Sequence, residues 1–162
     1  MTPRLAGGVL ALAALALDQG SKRWALSALG AEIREPVALT PFVDLRLSWN
    51  QGVSFSLFQA HGGGSRALLL SVTLAATLAL ALWLWRSTRL ASALGLGAIV
   101  GGALGNGYDR FAYGAVADFL DLHWGVRHFF IFNLADAAIN LGVALLFADL
   151  LFGGGEKPRP VK

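Results

Sequence analysis

Asp118 and Asp136 are the residues in this chain whose type and setting could do chemistry. Asp136 falls inside "FFIFNLADAAINLGVALLFADLLF", an almost wholly apolar stretch long enough to cross a bilayer. An aspartate in the middle of a membrane costs roughly 2.5–3.5 kcal/mol on insertion scales, so one that is kept there asks for a reason. Asp118 stands in the connection before it and could fold back over it. Two carboxylates brought together suit one kind of chemistry. Like charges at about 3 Å cannot both ionise, so the pair shares a proton. The ionised member can then draw a proton from water while the protonated member polarises a carbonyl. Such a pair needs no Ser, Cys or Lys nucleophile, and it titrates as a unit.

Other polar residues fall in or beside apolar segments: Asp18, Asn50, Asn106, Asp109, Arg110, Asp121, Asn133 and Asn140. Asp18, Asn106, Asp109 and Asp136 are expected at the outer ends of their helices, with Asp136 roughly 10 Å deep at 1.5 Å per residue. Ionisable residues at one depth on helices that pack together form a candidate site. A single Asn reads better as helix-to-helix glue, whereas several aspartates with an arginine among them favour function. Arg110 is expected to pair with Asp109 or an outer loop carbonyl, because a cation beside the pair would favour double ionisation. Asp149, near the opposite end, reads as a solvated helix terminus.

Rival chemistries are weaker. His61, His123 and His128 lack a ligand spacing such as H-E-x-x-H, so no metal site and no cofactor are expected, and a His123–Asp118–Asp121 set ranks well below the carboxylate pair. Ser54 and Ser56 have no orienting His and Asp nearby. With no cysteine in the chain, disulfides and thiolate chemistry are excluded.

The elements that must position these residues follow from composition. Of 162 residues, 56% are hydrophobic and 14% charged, and the mean hydropathy is +0.60. Soluble domains run at about 45–50% apolar and about 25% charged, so the surplus apolar surface needs lipid. The reading is one integral membrane domain over residues 1–162. Its fold class is all-α, with four transmembrane helices and a small extracytoplasmic β-sheet or hairpin in the first outer loop. Spans are expected at about 5–29, 67–85, 90–107 and 129–152. The first could pass for a secretory signal peptide, but its apolar run continues in helical register past Asp18, Lys22 and Arg23, so an uncleaved span is preferred.

Arg86, Arg89 and the tail residues Lys157, Arg159 and Lys162 place both termini and the 86–89 loop in the cytoplasm, with the site facing outward. The five tryptophans read as interfacial anchors: Trp83 and Trp85 inside, Trp24, Trp49 and Trp124 outside. The basic residues are scattered, which speaks against nucleic acid; membrane lipids are the expected surroundings and the chain is expected to be monomeric. Between about residues 36 and 60, "FVDLRLSW" and "GVSFSLF" alternate with period two around "NQG", predicting a hairpin that ends in a flexible "HGGG". Gly97, Gly101 and Gly105, four apart, predict a helix face open to close packing rather than a dinucleotide loop.

At "GNGYDRFAYGAVADFLD" and "FNLADAAIN" the chain resembles bacterial lipoprotein signal peptidase, also called signal peptidase II. That family carries Gly-Asn-x-x-Asp-Arg, Val-x-Asp-Phe and Phe-Asn-x-Ala-Asp stretches, here Gly105–Arg110, Val116–Phe119 and Phe132–Asp136. "DQGSK" at Asp18–Lys22 and "NQGVSF" at Asn50–Phe55 match as well, so the likeness spans nearly the whole chain. The resemblance implies that Asp118 and Asp136 are the catalytic pair. Asp18, Asn50, Asn106, Asp109, Arg110 and Asn133 would then shape the site or contact substrate. It further implies an aspartic endopeptidase of the bacterial inner membrane that cuts diacylglyceryl-modified prolipoproteins before the lipidated cysteine, with the outer sheet cradling the substrate. Gly107, Ser54 and Ile131 depart from the family's usual residues and change shape around the site. The competing reading is a small proton- or ion-translocating or assembly subunit with a structural polar cluster; translocation would spread acids through the membrane depth, whereas here they crowd at one end.

Overall fold

The computed structural model describes residues 1–30, 35–52 and 63–153. In chain order it forms α1 (Pro3–Leu29), β1 (Val37–Thr40), β2 (Val43–Asn50), α2 (Gly63–Arg86), α3 (Leu90–Ala112), β3 (Val116–Trp124), β4 (Arg127–Phe132) and α4 (Leu134–Phe152). Three of the helices are long and apolar enough to cross a membrane, within Ala67–Arg86, Leu90–Ala112 and Leu134–Phe152. α1 is the longest at 27 residues, and its second half carries Asp18, Lys22 and Arg23.

α3 is the central helix, and glycine makes it so. A Cβ at Gly97 would run into the backbone of Gly7, and one at Gly101 into the backbone of Ala11, both on α1. On a second seam, Gly95 abuts the backbone of Gly142 and Gly102 that of Ala135, both on α4. Without a hydrophobic driving force in lipid, helices associate through such close backbone packing. The small-residue face expected at Gly97, Gly101 and Gly105 is therefore observed, with a second one beside it. α2 instead packs through leucines, Leu80 and Leu84 against Ala93 and Leu96. Leu68, Val72, Leu74, Leu78 and Leu82 of α2 and Leu141, Phe147, Leu150 and Leu151 of α4 point outward and stay exposed. That apolar belt is the surface the composition predicts will face lipid.

The two ends of the bundle differ. At one end Arg4 lies over the Trp85 ring at 5.5 Å, and Arg89 pairs with Asp149 at 2.8 Å. At the other end sits a four-stranded antiparallel sheet in the order β1-β2-β3-β4. The β1–β2 turn falls at Pro41–Phe42, where the Phe42 N–H donates to Thr40 Oγ1 at 3.2 Å. β3 and β4 are joined through Gly125, whose φ of +57° provides the left-handed residue that a two-residue hairpin loop requires.

The sheet corrects two expectations. It is larger than a hairpin in the first loop, because the 113–132 region contributes β3 and β4; the fold is thus mostly helical with a sheet, not all-α. A further turn precedes β2 after "VALT", since Pro41 cannot donate to a ladder and breaks the strand there, while at "NQG" the Gly52 N–H donates to Asn50 Oδ1 at 3.2 Å. The second half of the expected hairpin, "GVSFSLF", lies outside the described residues, as do the "HGGG" segment's His61 and Gly62 and the basic tail after residue 153. The fourth apolar stretch does not begin as helix at residue 129: Phe129–Phe132 are strand, and α4 starts at Leu134. The third runs on to Ala112.

Overpacking a close backbone contact costs typically about 1–3 kcal/mol. Gly97→Val should therefore melt well below wild type in detergent, while Gly8→Ala, where an added Cβ meets open space, should melt with it. Equal melting of Gly97→Val and wild type would remove the close α1–α3 contact from this account.

Candidate active site

Asp136 is not deep inside a helix. Asn133 is the N-cap of α4 and Asp136 is its third residue, so the carboxylate lies in the first turn rather than 10 Å down the span. The two form a reciprocal capping box: the Asp136 N–H donates to Asn133 Oδ1 at 3.0 Å, and the Asn133 N–H donates to Asp136 Oδ2 at 3.2 Å. Asp18 of α1 adds a third bond at the same helix end, accepting from the Ala135 N–H at 2.9 Å. An anion here also meets the positive end of the helix dipole.

Asp118 arrives from β3. β2 and β3 pair so that Asn50 stands opposite Val116 and Ser48 opposite Asp118. Asn50 is thus a diagonal neighbour of Asp118 on the same face, and its Nδ2 donates to Asp118 Oδ2 at 3.1 Å. Asp118 Oδ1 accepts from Asn133 Nδ2 at 2.6 Å. One residue therefore grips both carboxylates: Asn133 donates to Asp118 from its side chain and to Asp136 from its main chain. Asn106 of α3 completes the ring, donating from Nδ2 to Asp136 Oδ1 at 2.8 Å and accepting at Oδ1 from Asn133 Nδ2 at 3.2 Å.

Beneath the pair lies a buried ion cluster. Lys22, only 2% exposed, places Nζ 2.9 Å from Asp18 Oδ2 and 2.9 Å from Asp109 Oδ2, and donates to Asn106 Oδ1 at 2.9 Å. Asp109 Oδ2 also accepts from the Ala117 N–H at 3.2 Å, tying α3 to β3. Gln19 Nε2 bridges the cluster, donating to Asp109 Oδ1 at 3.0 Å and to the Gly105 carbonyl at 3.2 Å. Gly105 has no room for a side chain because Asp18 presses against it.

The sequence-derived set therefore converges: Asp18, Asn50, Asn106, Asp109, Asp118, Asn133 and Asp136 share one hydrogen-bond network. Arg110 Nη1 donates to the Asn106 carbonyl of its own helix at 3.5 Å, so it is tied to the residue that donates to Asp136. Asn140 is exposed on α4 and does not join. Asp121, fully buried, pairs instead with His128 Nδ1 at 2.9 Å and Arg46 at 3.8 Å. Two members of the matching "DQGSK" stretch, Lys22 and Gln19, were not named as site residues. The signal was available, because Asp18 and Lys22 are four apart and Asn106 and Asp109 three apart, which puts each pair on one helix face.

Burial pushes the Asp118 carboxyl up to about 6, and the negative charge of Asp136 adds to the rise. Hydrogen bonds from Asn50 and Asn133 and the charge of Lys22 oppose it without cancelling it. The arrangement is thus two carboxylates held by one asparagine where sheet and helix ends meet, one of them with a raised affinity for its proton. It can polarise a carbonyl and deprotonate a water at once.

The family profile described as Signal peptidase (SPase) II matches residues 10–152. A lipoprotein signal peptidase of Methylocella silvestris is 51% identical to this chain, covering 98% of it and 96% of its own length. One of Beijerinckia indica subsp. indica is 50% identical, over 92% and 89%. A solved bacterial membrane enzyme, determined by the in meso method at 2.3 Å resolution, superposes with a TM-score of 0.78 at 25% identity, covering 96% of this chain and 94% of that one.

The Asp118 value gives a signed pH prediction. Between its ordinary 3.8 and about 6, folded Asp118 keeps a proton that the unfolded chain has released. Its contribution to stability is therefore intact below about pH 4 and is lost as the pH rises through about 6. Asp118→Asn cannot ionise, so its melting temperature should gain on wild type by several degrees between about pH 4 and pH 7. A gap between the two that does not change with pH would contradict the raised value.

Proposed function

The chain belongs to the signal peptidase II family of aspartic proteases and removes signal peptides from prolipoproteins; we propose that it does so with a water activated between Asp118 and Asp136. The observation that carries this is the double grip of Asn133, whose side chain holds Asp118 and whose main chain holds Asp136. In the free enzyme the pair carries one proton. The ionised carboxylate takes a proton from water as its oxygen attacks the scissile carbonyl carbon, and the protonated carboxyl gives its hydrogen to the carbonyl oxygen. The resulting tetrahedral intermediate collapses as a carboxyl proton passes to the departing amide nitrogen and the hydroxyl proton returns to the pair. One proton remains, ready for the next turnover. Asn50, Asn106 and Asn133 keep the carboxylates aimed, and the Arg110 charge limits the cost of the ionised form so near lipid.

The substrate in this reading is a diacylglyceryl-modified prolipoprotein, cut before its lipidated cysteine, whose acyl chains stay in the bilayer while its peptide pairs with the polar groups of the site. α1 is read as a fourth span, acting as part of one membrane domain and as a monomer in the bacterial inner membrane. Its charged second half is tolerable there because Lys22 meets two carboxylates and an amide oxygen. The separation of the Arg89–Asp149 end from the sheet end supports cytoplasmic termini and an outward-facing site.

Asp118→Asn and Asp136→Asn should each abolish cleavage of a diacylglyceryl-modified prolipoprotein, followed as a shift on a gel, while the proteins purify as folded monomers. Asn at position 136 keeps an oxygen for the helix cap, so the loss would report chemistry and not unfolding. Normal rates in either variant would end the two-carboxylate mechanism.

A further inference from the structure

Lys22 takes no part in the proton transfers, yet it is the most buried cation at the site. An ammonium has three hydrogens and no acceptor, and all three are spent, on Asp18 Oδ2, Asp109 Oδ2 and Asn106 Oδ1. The last of these has a consequence for the amide it touches. The two ends of an asparagine side chain have the same shape, so shape alone leaves Asn106 free to turn over. Lys22 forbids it: the end facing an ammonium must be the oxygen. Asn133 Nδ2 donates to the same oxygen at 3.2 Å and presses the same choice. The Asn106 Nδ2 is thereby aimed at Asp136 Oδ1, 2.8 Å away. Turned over, the amide would set its NH2 against the ammonium and a lone pair against the carboxylate, two repulsions in place of two bonds.

We propose that Lys22 is a positioning residue for hydrolysis, which keys the Asn106 amide so that it donates to Asp136 and holds that carboxylate ready to accept the water proton. It touches neither member of the pair and works through Asn106. The inference rests on the reading of Asp118 and Asp136 as the catalytic pair. A purely structural lysine would instead need only to neutralise Asp18 and Asp109, and any folded variant would then turn over normally.

The test measures kcat and KM separately for Lys22→Met and Lys22→Gln, as intact proteins in detergent with a synthetic diacylglyceryl lipopeptide, across a pH series. Methionine neither donates nor carries charge, and kcat should fall on the order of a hundredfold with KM little changed, the size of effect that a misaligned group produces. Glutamine can still donate to Asn106 Oδ1, and should recover about tenfold of that loss. Both variants lack the cation, so in both the pH–kcat profile should move to higher pH. Besides Lys22, the charged groups facing the pair are Asp18 on α1 and Asp109 and Arg110 on α3, all unchanged in these variants. Wild-type kcat in Lys22→Met overturns the proposal, and so does equal slowing in both variants, which would leave charge alone at work. Should Lys22→Met fail to fold, Asp18→Asn/Lys22→Met, which removes one charge of each sign, is compared with Asp18→Asn in the same way. Full activity in Asp118→Asn and Asp136→Asn would sink the catalytic reading itself; inactivity there with an unslowed Lys22→Met sinks only the positioning role.

Discussion

A helix that begins where water is scarce must find partners for its first N–H groups, and the start of α4 organises this molecule. Each unsatisfied group costs several kcal/mol in hydrocarbon. Three N–H groups there, of Asn133, Ala135 and Asp136, are met by Asp136, Asp18 and Asn133 side chains. Using a buried aspartate from α1 for one of them brings a charge that must itself be answered, and Lys22 answers it. Lys22 in turn draws Asp109 and Asn106 of α3 inward. Asp109 then reaches the Ala117 N–H and fixes β3, the strand that carries Asp118. Capping, ion pairing and the placement of Asp118 beside Asn133 are one connected solution.

That solution explains why the helices had to approach so closely. The Asp18 carboxylate sits against Gly105, and the Ala135 backbone against Gly102. Larger residues at either glycine would hold α1 or α4 away from α3 and pull the network apart. The glycine seams are therefore as much part of the site as the carboxylates. α2, which packs through leucines, lends no side chain to the described network.

The sequence was informative wherever a pattern has a single cause. Long apolar runs marked the helices, glycines four apart marked the α1-facing side of α3, and acids crowded at one end marked the site. It was less informative where two structures share a pattern. "RHFFIF" runs into "NLADAAIN" without a polar break, so an apolar strand and an apolar helix merged into one apparent span; only Asn133, a capping residue, marks the boundary. The first four residues of β3 are buried without alternation, so the strand offered no period-two signal to set against the helical reading. Lys22 read as an interruption of the first span because two of its three partners, Asn106 and Asp109, lie more than eighty positions away on α3.

Asn133 stands at the junction of all these demands: it caps a helix, links a strand to it, and steers two acids. Mutational scanning at this codon would return one merged score, because no replacement can loosen folding while sparing turnover, or the reverse.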